Sequence, residues 1–195
     1  MTKNPQTKKE NVLNIYATSA STSALTEELS NDLAQQFGTS IDETIDKLYP
    51  AGAIYFQMDD QDLNRILQFP GSMIGSDGIP GDRHPHPRLW GTFPRVLGKY
   101  SRDMQLFPLE EAVYKMTGKS ASVFGLENRG IIDVGNYADL VIFNPETVID
   151  KASYQSPKLH ADGIENVFVN GEVVWQEDSA TQNRPGMFLE GKKFH

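Results

Sequence analysis

Apolar positions along this chain change rhythm several times, and each rhythm predicts an element. Leu25, Leu29, Leu33 and Phe37 recur every fourth residue, the stripe of a helix that Thr26 would cap and Gly38 would stop. Ser40 and Glu43 have capping-box spacing, and Ile41, Ile45, Leu48 and Tyr49 line one face of a second helix ahead of Pro50. Residues 12–16 and 53–56 are short, β-rich apolar runs and predict strands. Asp59 caps a third helical stretch with Leu63, Ile66 and Leu67 on one face, Pro70 ends it, and Met73-Ile74 reads as the end of another buried strand. Strand, short helix and strand at this spacing predict a parallel βαβ unit.

Further on, Phe93, Val96 and Leu97 predict a helix terminated by Gly98. Leu109, Ala112, Val113 and Met116 behind Pro108 predict another, with residues 120–124 adding one more turn. From Gly130 the texture is different. Ile131-Ile132 and residues 140–143, 167–169 and 173–175 are short apolar runs separated by Gly, Asn, Asp and Pro. Asn170-Gly171 tolerates the positive φ of a type I′ turn, so its flanking runs form a hairpin. The pattern divides the chain into a polar, flexible N-terminus (1–10), an α/β portion (11–125), a small all-β portion forming one side of a sandwich (126–178) and a tail (179–195).

Composition narrows the possibilities. A chain of 195 residues suits one domain or a little more, and its 38% hydrophobic content with 10% aromatics is enough for a packed core. No apolar run approaches the roughly 20 residues that span a bilayer, and residues 1–11 have no signal-peptide h-region, so no membrane is expected. A formal net charge of −8 without a Lys/Arg stripe argues against a nucleic-acid partner. The absence of cysteine fits a cytoplasmic protein.

Candidate chemistry concentrates in residues 69–90, FPGSMIGSDGIPGDRHPHPRLW. Asp77 would stand at the mouth of the Met73-Ile74 strand, where parallel α/β folds carry reactive groups. Pro80, Pro85 and Pro87 then make a stiff extended loop carrying His84, His86 and Arg88. The residues alone leave alternatives open. Asp77-Gly78 is also a hairpin-turn signal. His84 and His86 have H-x-H metal spacing, although each precedes a proline in a loop, which disfavours ligation. Arg88 also suits a surface charge or a structural ion pair.

The motif GSDG-x-P-x-D-x-HPHPRLWGTFPRVLG from Gly75 to Gly98, followed by LEEAVYKMTG and GIIDVGNYADLVIF, resembles the C-terminal part of the N-acyl-D-amino-acid deacylases, the D-aminoacylases of the metal-dependent amidohydrolase superfamily. The resemblance covers about residues 11 to 180, and Gly81 stands where the family usually has histidine. It implies the last strands and helices of a (β/α)₈ barrel followed by a β-sandwich segment. A whole barrel takes about 250 residues, more than this chain has. By resemblance the substrate is an N-acyl-D-amino acid, hydrolysed to a D-amino acid and a carboxylate with zinc as cofactor. Asp77 matches the carboxylate that takes the water's proton and passes it to the leaving amine. Arg88 matches the clamp on the substrate α-carboxylate. His84 and His86 are read as loop-shaping residues that hydrogen-bond around Asp77.

The family's metal ligands, an H-x-H pair, a bridging cysteine or glutamate and two single histidines, lie on earlier strands. This chain's histidines are His84, His86, His160 and His195, none upstream of Asp77, so no metal ligand is assigned. The chain is therefore expected to be a C-terminal fragment, inactive alone, that aggregates, dimerises or depends on a complementary chain. One chain of a split amidohydrolase and a non-enzymatic small-carboxylate binder are the alternatives.

Overall fold

A computed structural model describes residues 15–17, 27–48, 51–53, 59–81 and 85–191. Two three-residue strands, β1 (Ile15–Ala17) and β2 (Ala51–Ala53), pair antiparallel and enclose a helical hairpin of α1 (Glu27–Phe37) and α2 (Ile41–Leu48). The expected capping box forms as a reciprocal pair. Ser40 N–H donates to the Glu43 carboxylate at 3.1 Å, and Glu43 N–H donates to Ser40 Oγ at 3.3 Å. Leu33 and Ala34 of α1 are buried, whereas Phe37 at its end stays half exposed. Thr26, Tyr49, Pro50, residues 12–14 and residues 54–56 lie outside the described residues.

Asp59 caps α3 (Asp60–Gln68) by accepting from Gln61 N–H at 2.7 Å. Leu63 and Leu67 on this helix lean on the main core. After it the expectation of a parallel βαβ unit fails. Residues 72–79 are extended or irregular rather than a strand. Ile74 N–H donates to the Lys115 carbonyl at 3.2 Å, on a helix. The Ile74 N–H is thereby committed to a helix end rather than to a strand ladder.

Arg88 begins a helix, α4 (Arg88–Arg95), instead of lying in the extended loop. Pro87 sits at its N-cap with helical φ and ψ, a place where a missing N–H costs nothing. Gly98 does not end this helix. The chain continues as a π-helical segment, Val96–Asp103, in which Val96, Leu97, Gly98, Tyr100 and Ser101 are buried. Pro94 inside α4 withdraws one donor from the regular ladder just before the wider turns begin. Gly98 serves close approach: a Cβ there would fall 2.3 Å from the Val148 carbonyl and 2.7 Å from Ile149 Cδ1.

Next come α5 (Leu109–Met116) and α6 (Gly118–Phe124). Ala112 and Phe107 join Val96, Leu97, Tyr100 and Val148 in the core, with Leu109, Val113 and Met116 packed against it, so the apolar stripe of α5 faces inward as expected. The β portion is one antiparallel sheet in the order β3 (Leu140–Phe143), β4 (Ile164–Val169), β5 (Glu172–Gln176) and β6 (Ser179–Ala180). Asn170 and Gly171 have φ of +49° and +84°, as a type I′ turn requires. Ile131 and Ile132 are exposed and outside any strand, and the strands described in this portion form the one four-stranded sheet.

Besides the shared core, polar and aromatic contacts join the helices to the sheet portion. Arg95 pairs with Asp150 at 3.0 Å. Arg102 donates to the Val148 carbonyl at 2.8 Å and the Pro145 carbonyl at 3.3 Å. Trp90 of α4 stacks on His160, and His160 meets Trp175 of β5 edge to face, with ring centres 5.2 and 4.6 Å apart.

The Gly98–Val148 contact makes a quantitative prediction. Gly98→Ala forces a methyl into a backbone carbonyl, and overpacking of this kind costs about 1–3 kcal/mol. Urea unfolding should show the unfolding free energy falling by that amount, seen as a lower midpoint with an unchanged slope.

Candidate active site

Two short spans of chain meet at the candidate site. The first is the irregular stretch through Gly75, Ser76, Asp77 and Gly78. Asp77 has φ of +47°, the left-handed region that Asp tolerates better than most residues. Ser76 Oγ accepts from Gly78 N–H at 3.2 Å. A Cβ on Gly78 would come within 2.8 Å of Leu89 Cα, so the absent side chain lets this stretch lie directly on the first turn of α4. Leu89 adjoins Arg88, and the contact carries Asp77 up to the guanidinium.

The result is an ion pair between Arg88 Nη2 and Asp77 Oδ2 at 2.8 Å. The Asp77 side chain is 79% exposed and that of Arg88 38% exposed, so the pair adds little to stability. The Arg88 Nε is buried without a hydrogen-bond partner among the described residues. A buried unpaired donor of this kind disfavours the state that holds it, by about 1–3 kcal/mol.

His86 stands behind Arg88. Its Nδ1 accepts from Arg88 N–H at 3.0 Å, which caps the start of α4. Its Nε2 lies 3.3 Å from the Tyr154 hydroxyl, with the two rings edge to face at 5.2 Å. An acceptor Nδ1 requires an unprotonated nitrogen there, so the ring carries its proton on Nε2 and donates to Tyr154. Burial is the main cause that lowers the His86 pKa below 6.5; the Arg88 charge lowers it further, and Asp77 opposes both.

The structure thus brings Asp77, Arg88 and His86 together, but His86 bonds the backbone of Arg88 and the ring of Tyr154 rather than Asp77. His84 lies outside the described residues. No sequence signal points to Tyr154, which lies far along the chain in a loop with no motif around it. Among the described residues no three His, Cys, Asp or Glu side chains come together to hold a metal ion. The donors present here, one carboxylate already paired with a guanidinium and one imidazole already bonded at both nitrogens, do not make a zinc site.

Comparison with known proteins places this chain in a family. The Amidohydrolase family model matches residues 51–175, and the chain belongs to that family. Over 156 residues it is 55% identical to D-aminoacylase of Alcaligenes xylosoxydans xylosoxydans, covering 80% of this chain and 32% of the relative. It is 52% identical to N-acyl-D-glutamate deacylase of the same organism, covering 73% of this chain and 29% of that protein. The chain therefore spans about a third of the length of these curated relatives.

Among solved structures, D-aminoacylase superposes with a TM-score of 0.76 at 54% identity, over 82% of this chain and 34% of that one. The N-acyl-D-glutamate deacylase of Bordetella bronchiseptica, in complex with zinc and a phosphonate mimic of the tetrahedral intermediate, gives 0.77 at 43% identity, over 91% and 38%. A further D-aminoacylase structure concerns its binuclear metal centre.

The His86 pKa has a direct consequence. A histidine whose folded pKa is lowered binds its proton more readily when unfolded. Its contribution to stability is complete above about pH 6.5 and is lost as pH falls from there through the folded value. Thermal melts between pH 7.5 and 5 should show the wild-type chain losing stability over that window more steeply than His86→Gln, which keeps hydrogen-bonding capacity without titrating.

Proposed function

We propose that this chain serves as the C-terminal part of an N-acyl-D-amino-acid deacylase, with residues 11–125 corresponding to the end of the amidohydrolase barrel and residues 126–178 to part of a β-sandwich. In this reading Asp77 is the proton acceptor and Arg88 the substrate clamp. The observation that carries it is the 2.8 Å approach of these two side chains, beside which Gly78 packs closely on Leu89.

The chemistry follows from the two groups. Arg88 presents a planar fork that suits a carboxylate better than a lysine would, and so takes the α-carboxylate of the N-acyl amino acid. A substrate carboxylate on the guanidinium competes with Asp77, and because the resting pair is exposed and weak, the exchange is inexpensive. Asp77, once released, accepts a proton from water as the oxygen adds to the amide carbonyl. It then gives that proton to the departing nitrogen as the C–N bond breaks, leaving a carboxylate and a free D-amino acid.

This set provides proton transfer and orientation. The zinc seen in the relative has no ligand set among the described residues, so the 195-residue chain on its own is proposed to be inactive. A partner supplying the remaining part of the fold, either another chain or the rest of a longer polypeptide, belongs to the same proposal.

Two measurements test it. The purified chain, given N-acetyl-D-amino acids and added zinc, should show no hydrolysis above the blank; robust turnover overturns the inactivity. Residues 11–180 grafted in place of the matching third of a D-aminoacylase should give an active chimera. In that chimera Asp77→Asn should lower kcat by about 10²–10⁴-fold, the usual loss of a general base. Arg88→Ala should mainly weaken substrate binding, by about tenfold or more, as a charge-assisted hydrogen bond to a carboxylate is lost. An active chimera indifferent to Asp77→Asn would overturn the assignment.

A further inference from the structure

Lys115 is the largest fully buried side chain among the described residues, with 1% of its surface exposed. It is a charged group in a small core, and nothing in the proton-transfer scheme uses it. Burial of an ammonium is tolerated only where its donors are engaged. Here Nζ donates to the Phe69 carbonyl at 2.7 Å and to Ser72 Oγ at 3.1 Å, and Glu111 lies 3.5 Å away on the same helix. The backbone of the same residue is engaged too, because its carbonyl accepts from Ile74 N–H at 3.2 Å and from Ser120 Oγ at 3.1 Å. Lys119, one turn on, donates to the Pro70 carbonyl.

The two ends of one residue therefore hold residues 69, 72 and 74, and Asp77 follows three residues after the last of these. Ser72 Oγ also donates to the Phe69 carbonyl, so the ammonium closes a turn that already folds on itself. Downstream of Asp77, Gly78 is fixed against Leu89. Asp77 is thus suspended between an anchor on α5 and an anchor on α4, in a left-handed conformation that free chain would leave.

We propose that Lys115 is a positioning residue for Asp77: its buried ammonium locks the turn at Phe69–Ser72 so that the Asp77 carboxylate reaches the Arg88 guanidinium. The proposal rests on Asp77 being the proton acceptor, and its test needs no turnover, so the two can fail separately. The chain has no cysteine, so Lys115→Cys creates a single thiol. Alkylation of that thiol in denaturant with 2-bromoethylamine, followed by refolding, restores an ammonium at nearly the length of lysine.

The readout is the amide NMR spectrum and hydrogen exchange of the 195-residue chain. In Lys115→Met the signals of Ser76, Asp77, Gly78 and Arg88 should shift. The Ile74 amide should exchange about tenfold faster, as expected for the loss of about one hydrogen bond's worth of protection. The β4–β5 hairpin signals from Val167 to Val174 should stay in place. The aminoethylated form of Lys115→Cys should return the Asp77, Gly78 and Arg88 signals to their wild-type positions.

If Lys115→Met does not fold, Ser72→Ala removes one acceptor of the ammonium together with the hydroxyl's own bond to the Phe69 carbonyl, leaves the bond from Nζ to that carbonyl, and should move the same signals by a smaller amount. Unchanged Asp77 and Arg88 signals in the folded variant would overturn the proposal. So would a shift spread evenly over the hairpin, or failure of the restored ammonium to return them.

Discussion

The whole arrangement depends on how closely the π-helical segment lies against the chain at Val148. Gly98 has no side chain, Val148 is completely buried, and the carbonyl of Val148 is approached by Gly98 on one side and the Arg102 guanidinium on the other. That single seam seats the helices on the loops that lead into the sheet. It also fixes the axis of the helical run that begins at Arg88. Helical turns of this wider kind are rare and concentrate near functional sites. The hydrophobic cluster of Val96, Leu97, Tyr100, Phe107 and Ala112 then closes around the seam, and its burial provides the main favourable term for folding.

From this seam the site follows by short steps. The helical run fixes Arg88 at one end, His86 caps that end, and Leu89 meets Gly78. Helix α5 packs its apolar stripe on the same core and, through Lys115, steadies the approach to Asp77 from the other direction. The ion pair between Asp77 and Arg88 contributes little to holding the fold, being exposed. It is the outcome of the packing beneath it. An exposed pair of this kind exchanges partners easily, because water and ions compete for both charges.

Much of this could be seen in the sequence where local chemistry decides structure. The capping box at Ser40 and Glu43, the Asp59 cap, the stripe of α5 and the Asn170-Gly171 hairpin are each dictated by a few neighbouring residues, and each stands in the structure. The family was legible too, because the motif between Gly75 and Gly98 is long. What could not be seen is what distant residues decide. Gly98 looks like a stop to any local rule, yet its meaning lies at Val148, far along the chain. Met73-Ile74 looks like a strand, but its backbone bonds a helix end. Lys115 lies off the apolar stripe of its helix, and the turn at Phe69 that accepts its ammonium makes it part of the core. Tyr154 meets His86 across a span no motif crosses.

The stack of Trp90, His160 and Trp175 has an optical consequence. These are the chain's two tryptophans, and both touch one imidazole where α4 meets β5. All indole fluorescence therefore originates at this one junction, with a potential quencher lodged between the emitters. Light from the molecule reports neither a remote loop nor an average over the surface, but the registry of the helical half upon the sheet, and any event that parts the two writes itself into a single colour and lifetime.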